Sequence, residues 1–576
     1  MTRRSIANHT AGQPSPSLAR KLREAYAAHQ AGHADKAERL YSEVLRHRPN
    51  EFDALHLLGL LNYQRGRLPE ALRLIGAALE CNGRSVDAWS NLGMVFHAKG
   101  ELEKALSSYE EALALEPDHP DVHNNRGNTL NSLGRRDAAL MSFDQALAAR
   151  PDYVAALYNR GTTLIDLGRH EEALASFDAA LKFVPNHPES LCHRGNALLR
   201  LGRLAEAAAS YALAANAAPN NPLILHNHAL ALRHTGRPRE ALQRAEDALR
   251  LWPDYAPARF EQGMALLALG DLGRGFAAYE ARWDTNEFLP QRRDFPAPQW
   301  LGQEDPRGKT ILLHAEQGFG DTLQFVRYVP LLARTGARIV LEVQPELKPL
   351  LSGMAGASSV IARGEALPPF DLHCPLMSLP LAMHTELATI PANVPYLAAD
   401  ADKVAHWAAR LSVYAGRRKV GLVWAGAPRP HDPNANAIDA RRSMSLQHFA
   451  PLADLADIQF FSLQKGAPSV EARQPPDGLP LIDFTADLHG FDDTAALIAN
   501  LDLVICVDTA VAHLTGALGK PVWVLSRFDA CWRWLDGRED SPWYPTARLF
   551  RQQAQGVWGD VVTRVREALA DWKFGI

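Results

Sequence analysis

The run Leu503-Val504-Ile505-Cys506-Val507-Asp508-Thr509-Ala510 is apolar until it ends on a carboxylate and a hydroxyl. Small-residue sequence follows as far as Gly519-Lys520-Pro521, then a second apolar run, Val522 to Leu525. This order predicts a buried strand, a polar turn at Asp508-Thr509, a short helix and another strand. A helix that begins where a strand ends points its free N–H groups at the turn, a seat for an anion such as a diphosphate. Ala510, Ala512, Gly516 and Ala517 would let that helix lie close to a sheet. Other stretches carry reactive types as well: Gly318-Phe319-Gly320-Asp321, Arg441-Arg442-Ser443, Gln464-Lys465-Gly466, and the loop Cys531 to Pro545 with three tryptophans and two arginines.

Together these are the parts that glycosyl transfer from a nucleotide-sugar requires. A base must take the acceptor proton, and something must stabilise the departing diphosphate. Arg442 and Lys465, with Gln464 beside it, each follow an expected strand and are the cationic candidates. Trp532 and Arg533 offer ring stacking on a base or sugar and pairing with phosphate. Plainer roles stand beside each. Asp321 also suits a helix N-cap, Asp508 a turn, His513 core packing, Arg442 a solvated charge, Lys465 a polar turn, and the tryptophan loop a self-packed cover. Gly318 and Gly320 invite a dinucleotide-fold reading, but the third glycine of GxGxxG falls at Leu323 and the P-loop lysine is missing. No DxD pair stands at a strand end, so neither a metal nor a cofactor is expected.

The elements that must position these groups follow from periodicity. Thr310–Ala315, the glycine loop, a helix from about Thr322 to Arg334, and Arg338–Val343 make a βαβ unit and hence a parallel sheet. A second lobe begins at Lys419–Gly426. It continues through a helix near Leu446–Leu455, a strand at Ile458–Leu463, a helix from Asp492 to Asn500 and the Asp508 stretch, and closes with Val561–Trp572. Two Rossmann-like lobes describe the GT-B architecture. The Gly-Asp-Thr turn after the first strand and Asp-Thr-x-x-x-His-Leu-x-x-Ala-Leu-Gly-Lys-Pro at Asp508–Pro521 resemble glycosyltransferase family 9, the heptosyltransferase-like group, over roughly residues 308–570. The resemblance implies that Asp321 is the base and that Asp508, Thr509 and His513 bind the nucleotide diphosphate. It also places a phosphate-binding cation near Arg441-Arg442. Heptosyltransferases have glycine where this chain has Ala510.

Residues 18–284 repeat at a period of 34. Position 8 of the unit is glycine or alanine, position 15 is mostly glycine, position 20 is alanine in seven units, and position 24 is bulky in seven. Small residues at 8 and 20 allow two helices to touch, glycine at 15 ends the first helix, and the bulky residue at 24 is expected to fill the gap to the next unit. The pattern resembles the tetratricopeptide repeat family, whose arrays form an α-solenoid with a groove for extended partners. Asn91, Asn125, Asn159 and Asn227 share position 6, an amide column able to grip a peptide backbone. The array of protein O-GlcNAc transferase looks similar in this respect. The alternative is consensus filler.

The expected fold is therefore α + α/β. It comprises a disordered tail at 1–17, a repeat solenoid at 18–284, a tether at 285–309, a GT-B N-lobe at 310–399, a linker at 400–418 and a C-lobe at 419–576. A composition 47% hydrophobic fills several cores, and a net charge of −4 gives no nucleic-acid footprint. Five scattered cysteines without a CxxC pair fit a reducing compartment. The first residues lack the apolar core of a secretion signal, and no window of eighteen apolar residues spans a membrane. A cytoplasmic location is expected. The expected function is metal-independent glycosyl transfer from a nucleotide-sugar to an acceptor chosen by the repeats, a protein in the simplest case. Inversion follows if Asp321 is the base. The alternatives are a scaffold with a degenerate transferase domain, and a lipopolysaccharide or glycan transferase whose repeats recruit proteins.

Overall fold

The computed structural model describes residues 16–428 and 433–572. The chain divides into two compact units, Met1–Ala217 and Ala218–Ile576. Most of the tail expected at 1–17 lies outside the described residues; the first helix starts at Pro16.

In the first unit the described residues form antiparallel helix pairs, from Pro16–Gln30 with Ala34–His47 to Pro188–Arg200 with Leu204–Ala217. The position-15 glycines that close each first helix adopt left-handed φ, as at Gly100 (78°) and Gly134 (74°), where a Cβ would be strained. The position-8 glycines have a different task. A Cβ on Gly127 would lie 2.5 Å from the Phe143 ring, and one on Gly93 2.5 Å from Tyr109. The bulky residue at position 24 therefore sits on the glycine of its own repeat and also reaches the next, as where the Phe177 ring stacks on His193 (5.9 Å). Neighbouring repeats are tied by polar pairs between their first helices, His97 Nδ1 to Thr129 Oγ1 (2.8 Å) and Asn131 Nδ2 to Thr163 Oγ1 (2.6 Å).

The second unit opens with two more helix pairs, α1 (Pro222–His234), α2 (Pro238–Leu251), α3 (Ala256–Leu269) and α4 (Leu272–Tyr279). The N-lobe contains β1 (Thr310–His314), α5 (Phe319–Phe325), β2 (Arg338–Val343), β3 (Ala357–Ala362) and β4 (Leu372–Pro375). Its strands pair in parallel in the order β3-β2-β1-β4. The helix expected at Thr322–Arg334 is broken. A 3₁₀ turn at Val326–Tyr328 separates α5 from Val329–Ala333, because Pro330 supplies no N–H to continue the ladder.

After α6 (Ala401–Leu411) comes the C-lobe: β5 (Arg418–Val423), α7 (Pro433–Arg442), β6 (Ile458–Ser462), β7 (Leu481–Asp483), α8 (Phe491–Ala499), β8 (Leu503–Val507), α9 (Ala510–Ala517), β9 (Val522–Ser526), β10 (Ala547–Arg551) and α10 (Gly559–Asp571). This sheet is also parallel, ordered β10-β9-β8-β5-β6-β7. The helix expected near Leu446–Leu455 is a 3₁₀ stretch, Leu446–Leu452, with Pro451 inside it. Both lobes and the last repeat share one apolar core that includes Leu267, Phe276, Leu313, Phe325, Leu514 and Trp534, so they are packed as one body. Segment 295–300 runs beside β4: Trp300 N–H donates to His373 O (2.8 Å), His373 N–H donates to Pro298 O (3.1 Å), and Phe295 packs on the His373 ring (4.6 Å).

Gly127→Ala is expected to destabilise the protein by about 1–3 kcal/mol, because its methyl group must displace the buried Phe143 ring. Gly134→Ala meets no atom within 4 Å and carries only backbone strain, about 1 kcal/mol. Denaturant unfolding followed by circular dichroism should rank the two in that order.

Candidate functional site

In an open parallel sheet, ligands bind at the carboxyl ends of the strands where the strand order reverses. The C-lobe order reverses between β5 and β8, and the N-lobe order between β1 and β4. The residues leaving these strands are Gly426 after β5, Asp508 after β8, Glu316 to Asp321 after β1 and Met377 after β4.

At the C-lobe switch point, Thr509 is the extended N-cap of α9 (φ −135°, ψ 174°), and its buried hydroxyl has no hydrogen-bond partner. Arg442, from the end of α7, reaches this turn and donates to Asp508 O at 3.1 Å. Its guanidinium also pairs with Asp439 (2.6 Å) and lies against Gly426, where a Cβ would meet Arg442 Nη2 at 2.6 Å. The structure thus brings Asp508, Thr509 and Arg442 together.

The same helix carries His513, which is buried. Its ring stacks on Trp534 (5.4 Å, 16°), and Nδ1 lies 3.0 Å from Tyr544 Oη. Burial pulls its pKa down to about 4, so the imidazole is neutral near pH 7. Its other face meets the N-lobe: a Cβ on Gly320 would lie 2.8 Å from His513 Cδ2 and 3.6 Å from Ala510 Cα. Gly320 is what allows α5 to pack on α9.

Asp321 stands at the first turn of α5. The helix begins earlier than expected, with Gly318 as its N-cap; Asp321 is its third residue, and one of its oxygens reaches back to accept the Gly318 N–H (2.9 Å) in place of the N-cap role. The other pairs with Arg533, which comes from the loop after β9. Burial disfavours the Arg533 charge, but Asp321 beside it raises its pKa above the usual arginine range. Arg533 also lies over Trp532 (4.4 Å). Trp532 itself packs edge-on against Phe276 of the last repeat (5.5 Å, 88°). Trp532, Trp534 and Trp543 are all buried in the shared core. The expected ligand-stacking use of Trp532 gives way to packing, and Arg533 is the member of that loop that faces Asp321.

Gln464 and Lys465 follow β6, one strand further out. The Gln464 amide is fully used by backbone: Oε1 accepts Trp424 N–H (3.0 Å) and Ala425 N–H (2.8 Å), while Nε2 donates to Ala425 O and Lys465 O (both 3.0 Å). It fastens the ends of β5 and β6 and has no bond left for a ligand. Lys465 Nζ donates to Thr485 O and Leu488 O, both at 2.8 Å, and its side chain lines a cavity of about 310 Å³ with Arg473, Asp483 and Thr485.

Sequence reasoning passed over three buried groups. Arg327 donates to Trp543 O (2.7 Å) and Tyr396 Oη (3.0 Å) and lies over Tyr544, so it ties the N-lobe to the C-lobe. Arg282, at the end of the last repeat, pairs with Glu316 (3.1 Å) and Glu280 (2.6 Å). Asp529 receives His234 of α1 (3.3 Å), Arg441 (3.1 Å) and Arg527 (3.0 Å). The signal was available for Arg327, an arginine inside an apolar helical run. The other two depend on partners distant in sequence.

In the amide column, Asn91 Nδ2 lies 2.7 Å from His56 Nε2, and Asn159 Nδ2 donates to Asn124 Oδ1 (2.9 Å). Asn91 and Asn159 therefore serve repeat-to-repeat bonding. Asn125 and Asn227 are likewise half-buried on their first helices.

Burial also pulls His234 to a pKa of about 4. For His234 and His513 the folded form binds fewer protons than the unfolded chain between pH 4 and about 6.5. Their contribution is complete above pH 6.5 and is lost as the pH falls toward 4, up to about 3 kcal/mol for each. Unfolding midpoints measured from pH 7.5 down to 4.5 should decline across that window; a flat profile would contradict two neutral buried imidazoles.

Among the described residues, no group of three His, Cys, Asp or Glu is placed to hold a metal ion, and no helix is long and apolar enough to cross a membrane. Tetratricopeptide repeat models match residues 22–83, 93–134, 124–188, 166–222 and 226–286. The model for glycosyltransferase family 9 (heptosyltransferase) matches residues 487–525, which span α8, β8, α9 and β9. Among curated proteins the chain is similar to protein FlbA of Caulobacter vibrioides, 30% identical over 344 residues. That alignment covers 55% of this chain, and the chain spans only 56% of the length of that relative. Similar solved structures include Pseudomonas aeruginosa PilF (24% identity, TM-score 0.34, 37% of this chain and 96% of that one). Another is YrrB, described as a TPR protein with an unusual peptide-binding site (24% identity, TM-score 0.29, 32% and 95%).

Proposed function

We propose, from the run of tetratricopeptide repeats and the glycosyltransferase-like segment around α9, that this protein transfers a sugar from a nucleotide-sugar to a protein acceptor engaged by the repeats. The observation that carries the reading is the meeting of two switch points. Gly320, the neighbour of Asp321 after β1, lies against His513 and Ala510 of α9, while Arg442 and the orphan Thr509 hydroxyl stand at the Asp508 turn.

In this reading the diphosphate sits at the start of α9. The free N–H groups of that helix, Thr509 Oγ1 and Arg442 take the charge that develops on the leaving phosphate. Asp321 accepts the proton of the acceptor hydroxyl, and attack from its side, opposite the diphosphate, inverts the anomeric centre. His513 is neutral and engaged with Tyr544, so its part is to position α9 and to present Nε2 as a hydrogen-bonding group. Tetratricopeptide arrays generally take extended protein segments, which makes a polypeptide the natural acceptor class.

A second reading, a binding scaffold without turnover, draws on one specific observation: both Asp321 oxygens are already engaged. One set of measurements separates the two. Nucleotide-sugars are screened by thermal shift, and those that bind are assayed for transfer to cell-extract polypeptides and for donor hydrolysis. The transferase reading expects turnover in the native chain and a loss of about 10²–10⁴-fold in Asp321→Asn. Arg442→Ala should weaken donor binding by about tenfold or more, as expected for loss of a charge-assisted phosphate contact. Donor binding with no turnover would favour the scaffold, and absence of binding to every donor would remove both.

A further inference from the structure

Two buried arginines of this unit, Arg282 and Arg327, are met by oxygen on several sides. Arg282 meets Glu316, Glu280, Ser378 Oγ (2.9 Å) and Tyr279 O (3.3 Å). Arg327 meets four oxygens: Gln324 O, Pro391 O, Trp543 O and Tyr396 Oη. Arg533 is largely shielded, its side chain 11% exposed, and its contacts are Asp321 Oδ1 and two sulfurs, Cys531 Sγ (3.1 Å) and Met377 Sδ (3.7 Å). Sulfur is a weak acceptor, and the buried Arg533 Nε has no partner at all. A guanidinium with five donors thus rests on a single strong acceptor, the carboxylate read above as the base.

From this geometry we propose that Arg533 is a latch on Asp321, and that the diphosphate of the donor opens it. The inference rests on the transferase reading. Asp321 Oδ1 is occupied by Arg533, so that oxygen must lose this partner before an acceptor hydroxyl can reach it. The other groups nearby have no clasp on the base to release. Arg442 is held by Asp439 and the Asp508 carbonyl, and His513 is neutral. An arriving diphosphate supplies the oxygens that Arg533 lacks. The stack on Trp532, itself pinned by Phe276 of the last repeat, keeps the guanidinium plane in place while its N–H groups change partner.

The step then balances. Arg533 leaves Asp321 for the phosphate oxygens. The acceptor hydroxyl gives its proton to Asp321 Oδ1, and its oxygen forms the bond to the anomeric carbon. The bond from that carbon to the diphosphate breaks, and the electron pair departs with the nucleoside diphosphate, whose charge Arg533 and Arg442 offset. The base becomes available only when donor is in place, which imposes donor-first order.

Calorimetric titration of the full chain with UDP, ADP, GDP and CDP tests this. If Arg533 must break its pair with Asp321 to bind phosphate, Asp321→Asn should bind the preferred diphosphate about tenfold tighter than the native protein, although its turnover falls. Arg533→Ala should bind about tenfold weaker, and the double variant should match Arg533→Ala, because the penalty and the contact both require Arg533. Asp321→Ser, which keeps an oxygen for the Gly318 N–H, serves if the asparagine variant does not fold. Native binding with no gain in either Asp321 variant overturns the latch and leaves the transferase reading standing. No binding of any diphosphate to native or variant protein overturns that reading and the latch with it.

Discussion

The rest of the site depends on one close approach. Gly320 allows α5 of the N-lobe to lie close on α9 of the C-lobe, where a Cβ would meet the His513 ring and the Ala510 backbone. Any larger residue at 320 must push the lobes apart. Because the lobes meet there, the loop after β1 and the loop after β9 share a surface, and a carboxylate from one finds a guanidinium from the other. A pair so deeply placed gains from Coulomb attraction but has lost hydration on both sides, so its value lies more in fixing geometry than in adding stability.

The last repeats are part of that same body. The division of the chain falls at Ala217/Ala218, so α1 to α4 pack in one unit with the two lobes. Arg282 delivers a buried guanidinium to Glu316 at the end of β1, and Tyr279 Oη accepts from Gln317 (2.8 Å) in the loop before Asp321. On the other lobe, Asp536 N–H donates to Ala268 O (2.8 Å), while His234 and Arg441 converge on Asp529. Arg441 is the neighbour of Arg442 on α7. One end of α7 is therefore held between a repeat helix and the turn read as the phosphate seat. Phe276 and Trp532 supply the apolar burial that accompanies these polar ties. A repeat that only recruited a partner would not need contacts of this depth with both lobes.

The amide column in the first unit illustrates how a surface motif changes meaning once its neighbours are known. An asparagine side chain offers a donor and an acceptor, and at Asn91 and Asn159 part of that capacity goes to the preceding repeat. These two bonds tie each first helix to the one before it, so part of the column serves the array itself.

Periodicity alone determined the repeats, because a 34-residue recurrence of small, bulky and glycine positions has only one mechanical solution, and each of those residues acts within its own unit or on the next. It also determined both parallel sheets, since apolar runs separated by helices can pair no other way, and it located the strand–turn–helix at Asp508 with its helix within a residue or two. Proline placement decided locally where two expected helices failed, at Pro330 and Pro451. What tertiary structure alone decided is the partnership of groups far apart in the chain. Asp321 with Arg533, Arg282 with Glu316, and His234 with Asp529 are joined only when three bodies of structure share a core. No local spacing encodes such pairs, because a side chain's partner is set by which strands end side by side. The same fact retired Gln464 and Trp532 from ligand roles: their sequence neighbourhoods suggested exposure, and the packing of β5 against β6 and of α4 against the β9 loop consumed them.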